Sequence, residues 1–167
     1  MNLEIIHKAI KFAEEAHAGQ IRKESQLDYV THPISVSYIA ANFKKSKNLS
    51  HIIVAAILHD TIEDTSATFE EIVKEFGMFV ASLVWELTDN PEQKKAVGKL
   101  EYQKTKWLGL SSYGLYLKLC DRLANVSDNP KPEYLIQTKT ILDNLEKKRK
   151  LSKSQKKVVK EIRKYIK

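Results

Sequence analysis

Residues 52–58 read Ile52-Ile53-Val54-Ala55-Ala56-Ile57-Leu58, seven apolar side chains with no polar interruption. By periodicity alone such a run fits a buried helix or a buried strand. The Ala55-Ala56 pair and the absence of flanking turn residues favour the helix. A helix apolar on every side belongs at the centre of a domain. The remaining apolar residues also repeat at helical spacing. Leu3, Ile6, Ile10, Ala13 and His17 precede Gly19, and Ile34, Tyr38 and Ala41 follow His32-Pro33, which reads as a helix entry with Pro at the first position. Thr68 and Glu71 form a capping box ahead of Ile72, Val73 and Phe76, with Gly77 as the stop. Phe79, Val80, Leu83, Val84 and Leu87 run up to a break at Asp89-Asn90-Pro91. Further helices are expected over 100–108, 116–126, 134–148 and 155–166, the last capped by Ser152 or Ser154. The fold class is all-α: one helical bundle of about eight to ten helices with no significant sheet.

The chain has 167 residues, 43% hydrophobic and 29% charged, with five Gly and four Pro. This is one ordinary domain with enough apolar surface for a core, and it is neither disordered nor repetitive. No apolar run reaches the ~18 residues needed to cross a bilayer. The start Met1-Asn2-Leu3-Glu4 lacks a secretory pattern. The single Cys120 excludes an intrachain disulfide framework. A cytoplasmic protein without membrane partners is expected. The net charge of +7 is uneven. Residues 139–167 hold 12 Lys+Arg against Asp143, Glu146 and Glu161, so the tail carries +9 and the rest of the chain −2. Such a tail could meet a polyanion, but a solvated lysine-rich helix face is the ordinary reading, and nucleic acid is not an expected partner. Val158, Val159, Ile162, Tyr165 and Ile166 form a stripe that should dock this helix, 151–167, on the body formed by 1–150.

The chemistry lies where the apolar pattern breaks. The core run leads directly into His59-Asp60-Thr61-Ile62-Glu63-Asp64. Three carboxylates and an imidazole at the end of a buried helix carry a large desolvation cost, and a divalent cation is the usual compensation. On a helix His59 and Glu63 share one face, while Asp60 and Asp64 share another about 100° round. His59 and Asp60 could then reach one ion, leaving Glu63 and Asp64 for water or substrate. His32 and Asp121 interrupt apolar stretches in the same way. Two His and two Asp make a mixed nitrogen and oxygen set suited to Mn²⁺, Fe²⁺, Co²⁺, Ni²⁺ or Zn²⁺. Singly, His32 could be a helix cap and Asp121 an ion-pair partner of Arg122. His17 reads as a core histidine bonded near the site, and Trp85 and Trp107 as packing residues.

His32, His59-Asp60 and Asp121 match the H…HD…D signature of the HD-domain metal-dependent phosphohydrolases. Ala16-His17-Ala18-Gly19-Gln20-Ile21-Arg22-Lys23, Tyr29-Val30-Thr31-His32-Pro33, Leu58 to Thr65, Phe76-Gly77 and Lys118 to Asn125 resemble, in order and spacing, the hydrolase domain of RelA/SpoT-type alarmone enzymes. The resemblance covers about residues 5 to 150, with no length for a synthetase or regulatory half, as in a stand-alone small alarmone hydrolase.

The resemblance implies removal of the 3′-pyrophosphate from guanosine tetra- or pentaphosphate with one Mn²⁺ per chain. His32, His59, Asp60 and Asp121 would hold the metal, and Glu63 and Asp64 would position and deprotonate the attacking water. Arg22, Lys23, Tyr29, Asn125 and Asp128 would contact the nucleotide. The chain departs from the pattern in the loop Glu24 to Asp28, which lacks the usual Gly and Pro, and at Ser127, where Arg is frequent. The alternatives are a phosphatase for another nucleotide, such as NADPH or a deoxynucleotide, and a non-catalytic nucleotide- or nucleic-acid-binding module. A monomer or homodimer is expected.

Overall fold

A computed structural model describes residues 2–22 and 25–166. Among them lie eleven helices and a single isolated antiparallel bridge, Ile21 to Asp28, in place of any sheet. Two of the helices, Thr61–Asp64 and Pro91–Val97, are short. The chain forms two compact units, Met1–Thr88 and Asp89–Lys167. No helix among the described residues is long and apolar enough to cross a membrane.

The first unit holds α1 (Leu3–Ala16), α2 (Thr31–Phe43), α3 (Leu49–Leu58), α4 (Thr61–Asp64), α5 (Phe69–Phe76) and α6 (Met78–Leu87). Helix α3 is its centre. All seven residues from Ile52 to Leu58 are buried, and α1, α2 and α6 pack around them. Each fully buried Ile, Val or Leu is worth about 1.5–3 kcal/mol, so this run anchors the unit. The capping box of Thr68 and Glu71 forms at the head of α5. Gly77 has φ +83 between α5 and α6, a conformation that favours glycine.

Helix α2 differs from expectation. It starts at Thr31, so Pro33 occupies the third helical position, where its missing N–H still costs no helical bond. Its buried face is His32, Pro33, Val36 and Ala40, whereas Ile34 and Tyr38 (76% exposed) face outward. Both rows have helical spacing; the neighbouring α3 selects between them. Trp85 is likewise exposed, with its ring edge-on to Phe69, while Trp107 is fully buried.

The second unit holds α7 (Pro91–Val97), α8 (Lys99–Gly109), α9 (Ser112–Val126), α10 (Pro132–Lys148) and α11 (Lys153–Ile162). Helix α9 is nearly all buried, and α11 packs against it through Val158, Val159 and Ile162. Ser152 caps α11 in a box with Gln155, whose side chain also donates to the Ser112 carbonyl. Asp89 is a buried hub before α7: Lys106 and Lys94 pair with it at 2.8 and 2.7 Å, and Gln103 donates to it at 2.8 Å.

Candidate metal centre and its acidic neighbours

Helix α3 ends at Leu58, so His59 is its C-cap and Asp60 the N-cap of the one-turn α4. Helical backbone dihedrals persist through both residues, and the Asp64 N–H still bonds the Asp60 carbonyl at 2.9 Å. The buried helix thus delivers His59 and Asp60 at the point where it leaves the core. His32 arrives from the first turn of α2, its ring centroid 5.3 Å from that of His59. Asp60 Oδ2 stands 3.1 Å from His59 Nε2 and 3.8 Å from His32 Nε2.

The tautomer of His59 follows from its other nitrogen. Nδ1 lies 2.8 Å from the Ala56 carbonyl oxygen, which can only accept. Nδ1 therefore carries a proton, and when the ring is neutral Nε2 presents its lone pair to Asp60. A lone pair and a carboxylate oxygen at this separation repel unless a cation lies with them. Two imidazole nitrogens and one carboxylate oxygen suit a divalent transition metal, and the backbone-bonded Nδ1 is the usual support of a ligating histidine. The residues of this unit fit a metal.

Around this trio, the Tyr29 hydroxyl donates to Asp60 Oδ2 at 2.7 Å and lies 3.2 Å from Asp64 Oδ2. Glu63 and Asp64 are exposed on α4. The Gln20 amide donates to the Asp64 carbonyl at 2.8 Å, and its oxygen lies 2.9 Å from Nδ1 of the buried His17. Gln20 is the residue whose position the sequence does not announce: a glutamine after a helix stop carries no local signal. The Arg22 N–H bonds the Leu27 carbonyl, and its own carbonyl accepts from the Gln26 N–H. Gln26 adopts φ +59, supplying the left-handed residue that a glycine would ordinarily provide. Lys23 lies outside the described residues.

In the second unit Asp121 is buried on α9. Its carboxylate pairs with Lys118 at 3.1 Å and accepts from Asn125 at 2.6 Å. Arg122 is no partner of Asp121 in these bonds. Its guanidinium lies over the Trp107 and Tyr134 rings and donates to Thr138. Asn125 thus holds Asp121, and Asp128 follows the end of α9, its N–H 3.4 Å from the Asn125 carbonyl. Cys120 is buried beside Tyr116; burial first, and then Cys120, push the Tyr116 hydroxyl pKa far above its ordinary value.

An all-helical fold with a His and a His-Asp pair converging at the end of its central helix defines a class. Residues 9–108 match the HD domain family, and the chain belongs to it. Within that class it is 36% identical over 126 residues to guanosine-3′,5′-bis(diphosphate) 3′-pyrophosphohydrolase MESH1 of Danio rerio, covering 74% of this chain and 68% of that protein. It is 33% identical over 129 residues to the guanosine-3′,5′-bis(diphosphate) 3′-pyrophosphohydrolase of Spiroplasma citri, spanning only 17% of that protein's length. A solved structure of a metazoan ortholog of SpoT, which hydrolyzes ppGpp and plays a role in starvation responses, aligns with a TM-score of 0.77 at 28% identity. That alignment covers 96% of this chain and 94% of the other.

Proposed function

We propose that this chain is a metal-dependent 3′-pyrophosphohydrolase of guanosine 3′,5′-bis(diphosphate), releasing GDP and pyrophosphate, or GTP from the pentaphosphate. The observation that carries the reading is the convergence of His32, His59 and Asp60 beside the Glu63-Asp64 pair. The family membership and the named relatives support it. Asp121, buried like His32 and His59, is the fourth ligand in this reading, following the order of the H…HD…D motif, and Mn²⁺ is the proposed ion. When bound, a divalent ion lowers the pKa of a coordinated water and clamps a phosphoryl oxygen. Glu63 and Asp64 position the attacking water and take its proton. Water adds to the phosphorus bonded to the 3′ oxygen, that P–O bond breaks, the 3′ oxygen takes up a proton to become the hydroxyl of GDP, and pyrophosphate leaves. Arg22 and Lys23 neutralise phosphate charge and contact the base, and Asn125 and Asp128 line the nucleotide.

Purified protein with Mn²⁺ and a panel of guanosine, adenosine, deoxy- and nicotinamide nucleotides tests the reading. Pyrophosphate and GDP from guanosine 3′,5′-bis(diphosphate), abolished by chelator, is the expected result. Turnover confined to NADPH or a deoxynucleotide reassigns the substrate. Metal binding without any turnover makes the chain a binding module.

A further inference from the structure

Tyr29 is held through its ring, its backbone and its hydroxyl. Its ring lies 4.7 Å from the His17 ring at 32° and 6.0 Å from the His32 ring at 66°. Its backbone N–H donates to the Gln20 carbonyl at 2.9 Å. Its hydroxyl lies between two carboxylates, 2.7 Å from Asp60 Oδ2 and 3.2 Å from Asp64 Oδ2. A phenol has one proton, so the shorter contact takes it and Asp64 is the weaker acceptor. The oxygen that receives this bond is also the one that faces both imidazoles. A carboxylate can rotate about its last torsion, and a charge-assisted hydrogen bond from a phenol packed against two imidazoles restrains that rotation. Helix α4 is four residues long, too short to hold its own geometry in isolation. The Gln20 amide tethers it, linking the Asp64 carbonyl to His17 at the end of α1.

We infer that Tyr29 is a positioning residue of the metal centre rather than a contact for the nucleotide. Its hydroxyl sets Asp60 Oδ2 toward His32 and His59, and the His17–Gln20 bridge holds Asp64 beside it. The inference rests on the metal-dependent reading proposed above and adds to it which residues orient the ligands.

The test uses the full chain and Tyr29→Phe, which removes one oxygen and leaves the ring to stack. Mn²⁺ affinity is measured by titration calorimetry without substrate, alongside the visible spectrum of the Co²⁺ form, the melting temperature of the metal-free protein, and kcat and KM. Expected are a 10- to 100-fold loss of Mn²⁺ affinity, the usual effect of removing a group that orients a metal ligand, and an altered Co²⁺ spectrum. The metal-free melting temperature and the KM should stay as in the parent. Unchanged Mn²⁺ affinity with a raised KM overturns the inference and makes Tyr29 a substrate contact. Unchanged affinity with a lower metal-free melting temperature also overturns it, because the hydroxyl then serves packing alone. Gln20→Met provides a second route: because Asp64 positions the water rather than the metal, it should lower kcat while KM and the metal-free melting temperature stay as in the parent, and a kcat equal to the parent's refutes the bridge. A parent chain that binds Mn²⁺ yet hydrolyses no guanosine nucleotide refutes the proposed function but leaves these affinity comparisons decisive for Tyr29.

Discussion

Asp60 Oδ2 lies 3.1 Å from His59 Nε2, the nitrogen whose partner across the ring is already committed to the Ala56 carbonyl. With the ring neutral, the pair therefore offers a cation one nitrogen lone pair and one carboxylate oxygen. With Mn²⁺ at 100 times its Kd the protein should gain about 2.7 kcal/mol in stability. His59→Ala and Asp121→Ala should each lose that gain and abolish turnover. Thermal melts with and without metal, and a turnover assay, check both. Normal turnover by either variant shows that the ligands are misassigned.

Glu63→Gln keeps the shape of the side chain and removes its basicity. Glu63 is exposed on α4, so the substitution should leave stability within about 0.5 kcal/mol. Metal binding should persist while kcat falls by roughly 10²–10⁴-fold, the usual size of a lost general base. Loss of metal together with rate would make Glu63 a ligand.

The fold was legible in the sequence where a pattern had one solution. Ile52 to Leu58 permits no exposed face, and the buried α3 follows. The candidate site was legible because His59 and Asp60 break that pattern at its end. Rows with two solutions were not legible: Ile34 and Tyr38 share helical spacing with Val36 and Ala40, and only the neighbouring helix decides which row is buried. Asp89-Asn90-Pro91 reads as a chain break, yet Asn90 caps α7, Pro91 begins it and Asp89 collects two lysines. Local chemistry signalled the turn; the partners came from α7 and α8, which a linear pattern does not reveal. For the same reason the hydrogen bonds of Tyr29 to Asp60 and of Asn125 to Asp121 could not be read from the sequence.

Asp89 offers a pH test. Burial alone would raise its pKa, but hydrogen bonds from Lys106 and Lys94 outweigh burial and hold it below the ordinary carboxylate range. A lowered folded-state pKa contributes stability above the unfolded value, and that contribution is lost as pH falls through the folded value. Asp89→Asn should cost ~1–3 kcal/mol at pH 7. The gap to the parent should shrink as pH falls below 3.8, the ordinary value for Asp. Denaturant unfolding of both proteins from pH 7 down to the lowest pH at which both fold checks it. A gap independent of pH would exclude an electrostatic origin.

The last helix separates packing from charge. Val158, Val159 and Ile162 are buried, with Leu151 and Ile166 at either end of the segment. At about 1.5–3 kcal/mol each, these five side chains together rival the whole stability of an ordinary domain, about 5–15 kcal/mol. Truncation after Arg149 should therefore unfold the second unit outright, and point substitutions are the sharper probe. Ile162→Ala should cost about 2–5 kcal/mol and lower the melting temperature. Lys153, Lys156, Lys157 and Lys160 are exposed on the same helix and line a shallow groove with Leu151. Replacing all four with Gln should leave the melting temperature nearly unchanged, since exposed charges contribute little to folding. If the lysines draw an anionic nucleotide toward the enzyme, the quadruple variant should lose kcat/KM only at low salt. The difference should vanish as the Debye length contracts to about 8 Å at physiological ionic strength. A quadruple variant that instead loses a tight, salt-sensitive complex with RNA or duplex DNA would show that α11 is a nucleic-acid arm.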